Sequence, residues 1–325
     1  MRERAYTLIT GGAGFVGSNL ADALLTAGEP VVILDDFSRA GVELNASWLL
    51  EKHGSNVRIE VGSVTDARLV QRLVRGANRV FHLAAQVAVT TSLRDPRLDF
   101  ESNLLGTFNV LEAARAMRKP PAILFTSTNK VYGEMDDVPI AKDGDAYVYA
   151  DMRPGISENA PLDFHSPYGC SKGAADQYVR DYARIFGIPT VVFRMSCVYG
   201  TRQFGTEDQG WVAHFARAIL AGRPITIYGD GCQVRDLLWV GDLVEAMQRA
   251  LAKAEEQPGE VFNIGGGRQN AVSVRTVIRK LQEITGSEVT LETAEWRPGD
   301  QRIYVSDTAK AERQLGWRPS PLWEN

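Results

Sequence analysis

The segment Thr10-Gly11-Gly12-Ala13-Gly14-Phe15-Val16-Gly17 constrains the fold of this chain more than any other part of the sequence. It follows a short apolar run, Tyr6–Thr10, and leads into Gly17–Ala27, which has apolar residues at helical spacing. A strand, a glycine turn and a helix in this order predict a dinucleotide-binding loop, in which bare backbone and free N–H groups meet a pyrophosphate. The expected cofactor contacts in this loop are Gly11, Gly14, Phe15, Val16 and Gly17.

The second strand candidate, Val31–Asp35, ends on an acidic residue about 20 residues after the glycine loop. A carboxylate at this position accepts hydrogen bonds from both adenosine ribose hydroxyls and repels a 2′-phosphate, which favours NAD over NADP. Arg39 leaves NADP open as an alternative, because its guanidinium could hold a 2′-phosphate. If Arg39 is only an exposed loop residue, it has no bearing on the choice of cofactor. Cofactor contacts are also expected from Asp36, Ser38 and Arg39.

Short β-branched runs alternate with helical stretches through the first half of the chain. This alternation predicts an α/β fold, a doubly wound parallel sheet of the Rossmann type with helices on both faces. The strand candidates are Tyr6–Thr10, Val31–Asp35, Val57–Val61, Val80–Ala84, Ile123–Ser127 and Thr190–Arg194.

Beyond about Tyr199 the pattern changes, which predicts a smaller α/β lobe for the substrate, interleaved with the last elements of the sheet. Its elements are expected to include helices at Trp211–Ala221 and Val274–Thr285, a strand at Ile225–Tyr228, and a final helix that contains Trp323. A strand at Val261–Ile264 should join the sheet. We expect the cofactor-binding domain to comprise residues 1–196 plus about 229–264, and the lobe residues 197–228 plus about 265–325.

Charge and composition limit the partners of this chain. A net charge of −4 and a pI near 5.7 provide no global field for nucleic acid or an anionic membrane. No apolar run approaches the roughly 18 residues that would cross a bilayer. The three cysteines are too few and too scattered for a disulfide framework, and none is spaced with a histidine as in a zinc site. We expect a cytoplasmic protein with reduced thiols, a small-molecule partner and no metal.

Tyr168-Gly169-Cys170-Ser171-Lys172 places a phenol and an ammonium about one helical turn apart on one face. The charge of Lys172 and that of a nearby nicotinamide would lower the tyrosine pKa from roughly 10, so that Tyr168 can act as a general base. Lys172 would also bind the nicotinamide ribose hydroxyls. Thr128 follows the fifth strand and is expected to bridge Tyr168 and the reacting hydroxyl. A strand-end cap is the alternative role for Thr128, and Ser127 is the alternative residue for the bridge.

The GxxGxxG spacing and His82-Leu83-Ala84-Ala85 after the fourth strand resemble the extended short-chain dehydrogenase/reductase family, in particular its NAD-dependent epimerases and dehydratases. The resemblance implies hydride transfer between a sugar carbon and NAD, with Thr128, Tyr168 and Lys172 as the catalytic residues. One departure is Ser63, which stands where relatives carry an aspartate that contacts adenine. The further cofactor contacts expected are Ser63, Val64, Leu83, Ala84, Ala85, Gln86, Asn103, Thr126 and Met195.

Thr128-Asn129-Lys130 lacks the acidic pair that a dehydratase relative would carry after the threonine, which favours epimerisation. The segments 127–133, 162–178 and 202–211 resemble the branch of CDP-tyvelose (CDP-paratose) 2-epimerases. This resemblance implies inversion of C2 of a CDP-hexose through a transient 2-keto sugar, with hydride return to the opposite face, and a homodimer or homotetramer. The alternatives are a UDP-hexose 4-epimerase, another nucleotide-sugar oxidoreductase or dehydratase of the same family, and a cofactor-sensing protein without turnover.

Arginines in the second half of the chain are candidates to hold the diphosphate of a sugar nucleotide, because guanidinium matches phosphate oxygens in pairs. Arg235, Arg297 and Arg302 are the three candidates, and we expect one of them to be a surface residue only. Tyr228 could stack on the nucleobase or pack in the core. The segment 134–159 is expected to cover the mouth of the pocket. The other substrate contacts expected are Gln86, Thr128, Asn129, Ser196, Gln203 and Gln209.

Overall fold

A computed structural model gives the structure of residues 5–297 and 300–323. Its strands in chain order are β1 (Tyr6–Thr10), β2 (Val31–Asp35), β3 (Val57–Val61), β4 (Ala77–His82), β5 (Ala122–Thr128), β6 (Ile140–Asp143), β7 (Ala146–Tyr149), β8 (Thr190–Met195), β9 (Cys197–Tyr199), β10 (Ile225–Tyr228), β11 (Val234–Trp239), β12 (Glu260–Ile264), β13 (Ala271–Ser273), β14 (Leu291–Ala294) and β15 (Ile303–Tyr304).

The α-helices are α1 (Phe15–Thr26), α2 (Val42–His53), α3 (Ala67–Gly76), α4 (Val89–Arg94), α5 (Pro96–Phe100), α6 (Gly106–Arg115), α7 (Ser166–Phe186), α8 (Trp211–Leu220), α9 (Val240–Ala252), α10 (Val274–Thr285) and α11 (Ala309–Leu315). A π-helical turn, Glu101–Leu105, joins α5 to α6, and a 3₁₀ turn, Asn129–Tyr132, follows β5. Within the described residues, no helix has both the length and the apolar character that crossing a membrane requires.

Seven parallel strands form the central sheet, in the order β3-β2-β1-β4-β5-β8-β12. Parallel neighbours need crossover connections, and the crossover helices cover both faces of the sheet. One large apolar core contains Leu20, Phe193 and Phe262, and the other contains Leu8, Val80 and Phe125. The predicted doubly wound α/β fold is therefore confirmed.

The predicted bounds were wrong for two elements near the glycine loop. β4 runs over Ala77–His82 and not over Val80–Ala84, because its polar beginning, which includes Asn78 and Arg79, hides it from hydrophobic patterning. The Arg79 side chain is satisfied within the sheet, since its Nε donates to Thr7 Oγ1 at 2.8 Å. The first helix begins at Phe15, directly after the glycine turn and two residues earlier than predicted.

A smaller sheet stands beside the central one and contains a strand that the predicted boundary misplaces. β11 pairs with β9 and β15 in parallel and with β13 antiparallel, although residues 229–264 were assigned to the cofactor-binding domain. β12, in contrast, completes the central sheet as expected. We propose the same two-domain division with β11 moved to the lobe.

The last described part of the chain returns to the central core. Trp317 is 1% exposed and packs in the same core as Leu20 and Leu24 of α1. The predicted final helix at Trp323 is wrong: α11 ends at Leu315, Gly316 adopts a left-handed conformation at φ 64°, and Trp323 lies in a turn. Residues 324 and 325 lie outside the described residues.

Candidate active site

The glycine loop between β1 and α1 packs so closely against its surroundings that Gly11 and Gly17 leave no room for a side chain. Gly11 has φ +69°, and a Cβ on it would lie 2.8 Å from the backbone nitrogen of Ala84. A Cβ on Gly17 would collide with the carbonyl oxygen of Gly11, so the third glycine lets α1 pack against the turn. The bare loop at the N-terminus of α1 fits the diphosphate of a dinucleotide.

Asp35 ends β2 beside the glycine loop with its carboxylate fixed in place. Its Oδ2 accepts the Ala13 N–H at 3.0 Å, and its Oδ1 accepts the Phe37 N–H at 3.0 Å. Burial raises the pKa of this carboxyl, and the backbone N–H groups of Phe37, Ala13 and Gly14 oppose that rise. The carboxylate keeps acceptor capacity for another donor, which fits a hydroxyl of the adenosine ribose of NAD. The three polar residues after it, Asp36, Ser38 and Arg39, are exposed.

Ser63, after β3, is the residue that stands where a carboxylate was expected from the resemblance. Its hydroxyl accepts the Thr65 N–H at 3.2 Å and the Thr65 hydroxyl at 2.9 Å. Its own proton remains free to be donated to another acceptor. The neighbouring Val64 is buried and packs in the second core. The position thus offers a neutral hydrogen-bonding group.

A directed chain of hydrogen bonds runs beneath the glycine loop. The Ala84 N–H donates to Thr10 Oγ1 at 3.2 Å, Thr10 Oγ1 lies 2.7 Å from His82 Nδ1, and His82 Nε2 lies 3.0 Å from Thr107 Oγ1. Thr107 donates its proton to the Asn103 carbonyl at 2.6 Å, so it must accept from Nε2–H of His82. Burial lowers the pKa of His82 to about 3. His82 is therefore a neutral, structural residue.

Thr128 and Tyr168 meet at the carboxyl end of β5, as the sequence predicts. Their side chains share a hydrogen bond, and both residues are buried. Thr128 Oγ1 also accepts the Lys130 N–H at 3.3 Å and lies 3.4 Å from Asn129 Oδ1. Thr128 thus contacts the phenol and also caps the 3₁₀ turn, and its bridging of the reacting sugar hydroxyl stays a prediction. Ser127 lines the same cavity, with its Oγ bonded to no described residue.

Lys172 lies one turn after Tyr168 on α7 and is turned toward β5. Its Nζ donates to the Thr126 carbonyl at 2.5 Å and lies 4.3 Å from the centre of the Phe125 ring. Burial lowers the pKa of Lys172 to about 7 and raises that of Tyr168 to about 12. The predicted acidification of Tyr168 is therefore absent from the chain alone, because desolvation and the Asp99 carboxylate outweigh the hydrogen bond with Thr128. Whether the charge of bound NAD restores it stays a prediction.

Replacing Lys172 by methionine is expected to remove a pH dependence from the stability of the NAD-free protein. The folded pKa is about 7 and the unfolded value is 10.5, so the unfolded chain binds more protons between these two pH values. The free energy of unfolding of the unchanged protein should therefore rise, relative to the variant, as pH increases across this interval. Urea unfolding at pH 7 and about pH 9.5 measures this difference. Equal changes in both proteins would contradict it.

A polar network ties the π-helical turn to α7 and uses the side chain of Gln86. The Gln86 amide donates to Asp99 Oδ1 at 2.7 Å and to the Ala88 carbonyl at 2.9 Å, and its oxygen accepts the Ala88 N–H. Ser171, between Tyr168 and Lys172, donates to Asp99 Oδ2 at 2.5 Å. Asn103 donates to this network, while its buried Oδ1 has no partner among the described residues and could accept from a cofactor.

A cavity of about 400 Å³ opens beside Thr128 and Tyr168 and receives nearly all the predicted substrate contacts. Gln86 is the correction: it does not line the cavity, because the local turn commits its amide to Ala88 and Asp99. Met195 of the predicted cofactor set also lines it. The predicted substrate residues in the wall are Thr128, Asn129, Ser196, Gln203, Gln209, Tyr228, Arg235 and Arg297.

The three arginine candidates separate into two cavity residues and one surface residue. Arg235 donates to Asp300 at 2.7 Å, and the Arg297 guanidinium stacks 3.9 Å above the Tyr228 ring. Tyr228 therefore lines the cavity with one face already covered. Arg302 lies outside the cavity and donates to the Tyr147 hydroxyl at 2.9 Å, so it is the surface residue of the three.

The prediction that residues 134–159 cover the pocket mouth is wrong. No residue of this segment lines the cavity beside Thr128. The hairpin of β6 and β7 packs instead through Tyr149 against Tyr304 and Val305, and the flanking residues line a separate cavity. Sequence reasoning also missed Lys130, Cys197, Trp211 and Asp300, which do line the cavity. Lys130 had a signal, since it follows Thr128 within one motif, whereas Asp300 is brought in from a distant part of the chain.

Comparisons with known proteins cover nearly the whole chain. The family model described as GDP-mannose 4,6 dehydratase matches residues 8–324. The chain is 42% identical to the CDP-paratose 2-epimerase of Salmonella typhi, over 96% of this chain and 94% of that protein. The UDP-glucose 4-epimerase of Thermotoga maritima, solved with UDP-glucose, has a TM-score of 0.80 at 32% identity, covering 97% of this chain and 94% of that one. The NAD complex of the Thermus thermophilus UDP-glucose 4-epimerase has a TM-score of 0.79 at 33% identity, with the same coverage.

Proposed function

Because the chain belongs to the family of NAD-dependent epimerases and dehydratases that the GDP-mannose 4,6-dehydratase model describes, we propose that it inverts C2 of a CDP-linked hexose. One observation carries the proposal. The hydrogen-bonded pair of Thr128 and Tyr168 stands in the cavity wall, and the turn that follows presents an amide and an ammonium, Asn129 and Lys130, in place of carboxylates.

The glycine loop, Asp35 and Lys172 form what we call the cofactor edge of the site. These residues fit NAD and would position it for hydride chemistry. When bound, NAD supplies a hydride acceptor that later returns the hydride to the substrate. The glycine loop and α1 would hold its diphosphate, Asp35 its adenosine ribose, and Lys172 its nicotinamide ribose. The buried Asn103 Oδ1, bonded to no described residue, offers one more acceptor on this edge.

Tyr168 would act on the substrate hydroxyl as general base and then as general acid. Its phenol shares a hydrogen bond with Thr128, whose hydroxyl is itself oriented by the Lys130 N–H. Thr128 can therefore hold the sugar hydroxyl against the phenol while the proton moves. The ketone that results must turn its other face before it is reduced. The same phenol then returns the proton, so oxidation and reduction cancel within one turnover.

The charges around the cavity argue against elimination of water from the sugar. Elimination needs an acid and a base next to the reacting carbons. The carboxylates that line the cavity are instead committed to cations: Asp300 to Arg235 and Lys130, and Glu207 and Asp208 to Arg297. A simple oxidation and re-reduction is therefore the reaction that these side chains favour.

The choice of C2 and of a CDP-sugar is supported by the degree of relatedness. Identity is 42% to a CDP-paratose 2-epimerase and 32 to 33% to the two UDP-glucose 4-epimerase structures. A UDP-hexose 4-epimerase is the second candidate, since Thr128, Tyr168 and Lys172 would serve either reaction.

Incubating the purified protein with CDP-, UDP-, GDP- and dTDP-hexoses and following the sugar by NMR tests the proposal. We expect inversion at C2 of a CDP-hexose, with no accumulation of free NADH in the ultraviolet absorbance. Inversion only at C4 would establish the second candidate instead. Stoichiometric release of NADH would identify a net oxidoreductase.

We also propose that the protein is a homodimer or homotetramer in the cytoplasm. Large apolar side chains remain exposed on neighbouring faces of α6 and α7: Phe108 is 38%, Tyr178 45% and Phe186 47% exposed. The Phe108 and Tyr178 rings meet edge to face with centroids 6.2 Å apart. An apolar surface of this kind is typical of a contact between subunits.

A further inference from the structure

Lys130 lines the cavity close in sequence to the candidate catalytic residue Thr128. It lies on the 3₁₀ turn Asn129–Tyr132, two residues after Thr128, and its N–H donates to Thr128 Oγ1 at 3.3 Å. The side chains of Thr128, Lys130 and Tyr168 all line the same cavity. The Lys130 backbone is therefore tied through one short turn to the hydroxyl that would receive the reacting sugar, and Lys130 lines the same cavity.

The part of the cavity wall around Lys130 brings two cationic side chains to one carboxylate. Lys130 Nζ lies 3.5 Å from Asp300 Oδ1, and the same oxygen accepts from Arg235 Nη2 at 2.7 Å. Two cations thus share one carboxylate; burial lowers the pKa of the Lys130 ammonium, and the Asp300 carboxylate opposes that lowering. Ammonium and guanidinium groups bind phosphate oxygens through charge-assisted hydrogen bonds. An anionic group of the substrate is the natural complement.

The chemistry of a sugar nucleotide places its anion next to one particular carbon. The β-phosphate is attached through oxygen to C1, so C2 is the neighbouring carbon and C4 lies across the ring. If the C2 hydroxyl is at Thr128 and Tyr168, the β-phosphate must be close to them. If the C4 hydroxyl is there, the phosphate is carried to the far side of the ring. A cation joined to Thr128 by one short turn suits the first arrangement.

We propose that the Lys130 ammonium binds the β-phosphate of the sugar nucleotide beside Thr128 and thereby selects C2 as the carbon that is oxidised. The inference rests on the proposed function and adds a specificity-determining residue to it. A phosphate anchored at this point would also serve as a pivot. The ring can then turn about the C1–O and O–P bonds and present the opposite face of C2 while the nucleotide stays bound.

Calorimetric titration of the NAD-loaded protein with CDP and CMP tests the contact directly, because the two nucleotides differ by the β-phosphate. For Lys130→Met we expect CDP to bind about tenfold more weakly or worse, as for loss of one charge-assisted hydrogen bond, and CMP to bind within about twofold of the unchanged protein. Lys130→Arg should recover part of the CDP affinity. Lys142→Met is the matched control, since Lys142 is exposed and pairs with Asp230 at 3.1 Å outside the cavity.

Unchanged CDP binding by Lys130→Met, or equal weakening of CDP and CMP, would overturn the proposed contact. Unchanged kcat/KM for C2 inversion in this variant would overturn its role in selecting the carbon. NAD content and thermal melting verify the fold, and Lys130→Gln replaces any variant that fails them. A parallel UDP and UMP series separates the two proposals. In one outcome, Lys130→Met binds UDP but not UMP more weakly, the cytidine pair is unaffected, and the unchanged protein inverts C4. That outcome would contradict the CDP-sugar function and support the phosphate contact.

Discussion

Tyr168→Phe is expected to lower kcat by about 10²- to 10⁴-fold, the size of a general acid–base contribution, while the protein keeps its fold and its bound NAD. The variant removes only the phenol oxygen, which shares a hydrogen bond with Thr128. Thr128 retains its bond from the Lys130 N–H, so no buried hydroxyl loses all its partners. Initial rates of sugar epimerisation, followed by NMR, measure the loss.

Tyr178→Phe is the matched control for this experiment. Tyr178 lies on the same helix as Tyr168 but is 45% exposed and does not line the cavity. Its loss should leave the rate within about twofold, because no group at the cavity depends on it. Turnover by Tyr168→Phe at the control rate would remove the tyrosine from the mechanism.

Asp176→Asn is expected to destabilise the protein by about 3–5 kcal/mol, because it leaves a buried arginine without its counter-charge. The Asp176 and Arg194 side chains are 1% and 2% exposed, and they are joined by hydrogen bonds of 2.8 and 3.0 Å. The free energy of unfolding in urea measures the loss. Asp181→Asn, at an exposed position of the same helix, should change it by less than about 0.5 kcal/mol.

Loss of the Asp176–Arg194 ion pair should also lower the rate of turnover, because the pair holds the 3₁₀ turn after Thr128 in place. Arg194 donates to the Tyr132 hydroxyl at 3.1 Å, and that hydroxyl donates to Asn263 at 2.7 Å. Tyr132 ends the 3₁₀ turn that begins after Thr128, so Asp176 connects α7 to the turn that carries Lys130. A destabilisation below about 1 kcal/mol would show that Arg194 finds other partners, and would contradict this role of the pair.

The central sheet was predictable because its signals are local. Most of the parallel strands are short β-branched runs, and the glycine loop predicts the first crossover helix from adjacent residues. The lobe was less predictable, since the partners of β11 come from three separate parts of the chain, and no local pattern encodes such pairing. For this reason residues 234–239 were assigned to the cofactor-binding domain, although β11 pairs outside the central sheet.

The site follows the same division between local and distant information. Tyr168 and Lys172 share one helical turn, and Thr128 ends a strand, so sequence spacing brings them near the cofactor edge. The pairing of Arg235 with Asp300 joins residues far apart in the chain, and nothing near either residue signals it. Gln86 lies outside the cavity lining for a more local reason: the Ala88 N–H binds its side-chain oxygen, which composition cannot reveal.

The return of Trp317 to the core beside α1 bears on how the chain is assembled. The Trp317 indole donates to the Asp242 carbonyl at 2.9 Å and packs in the same core as Leu20 and Leu24. Residues of α1 and residues after α11 therefore contribute to one hydrophobic core. Contacts between such distant residues carry a high loop-closure cost and slow folding. We therefore expect a nascent chain to remain incompletely folded during synthesis, and to reach its native state only after Trp317 has left the ribosome.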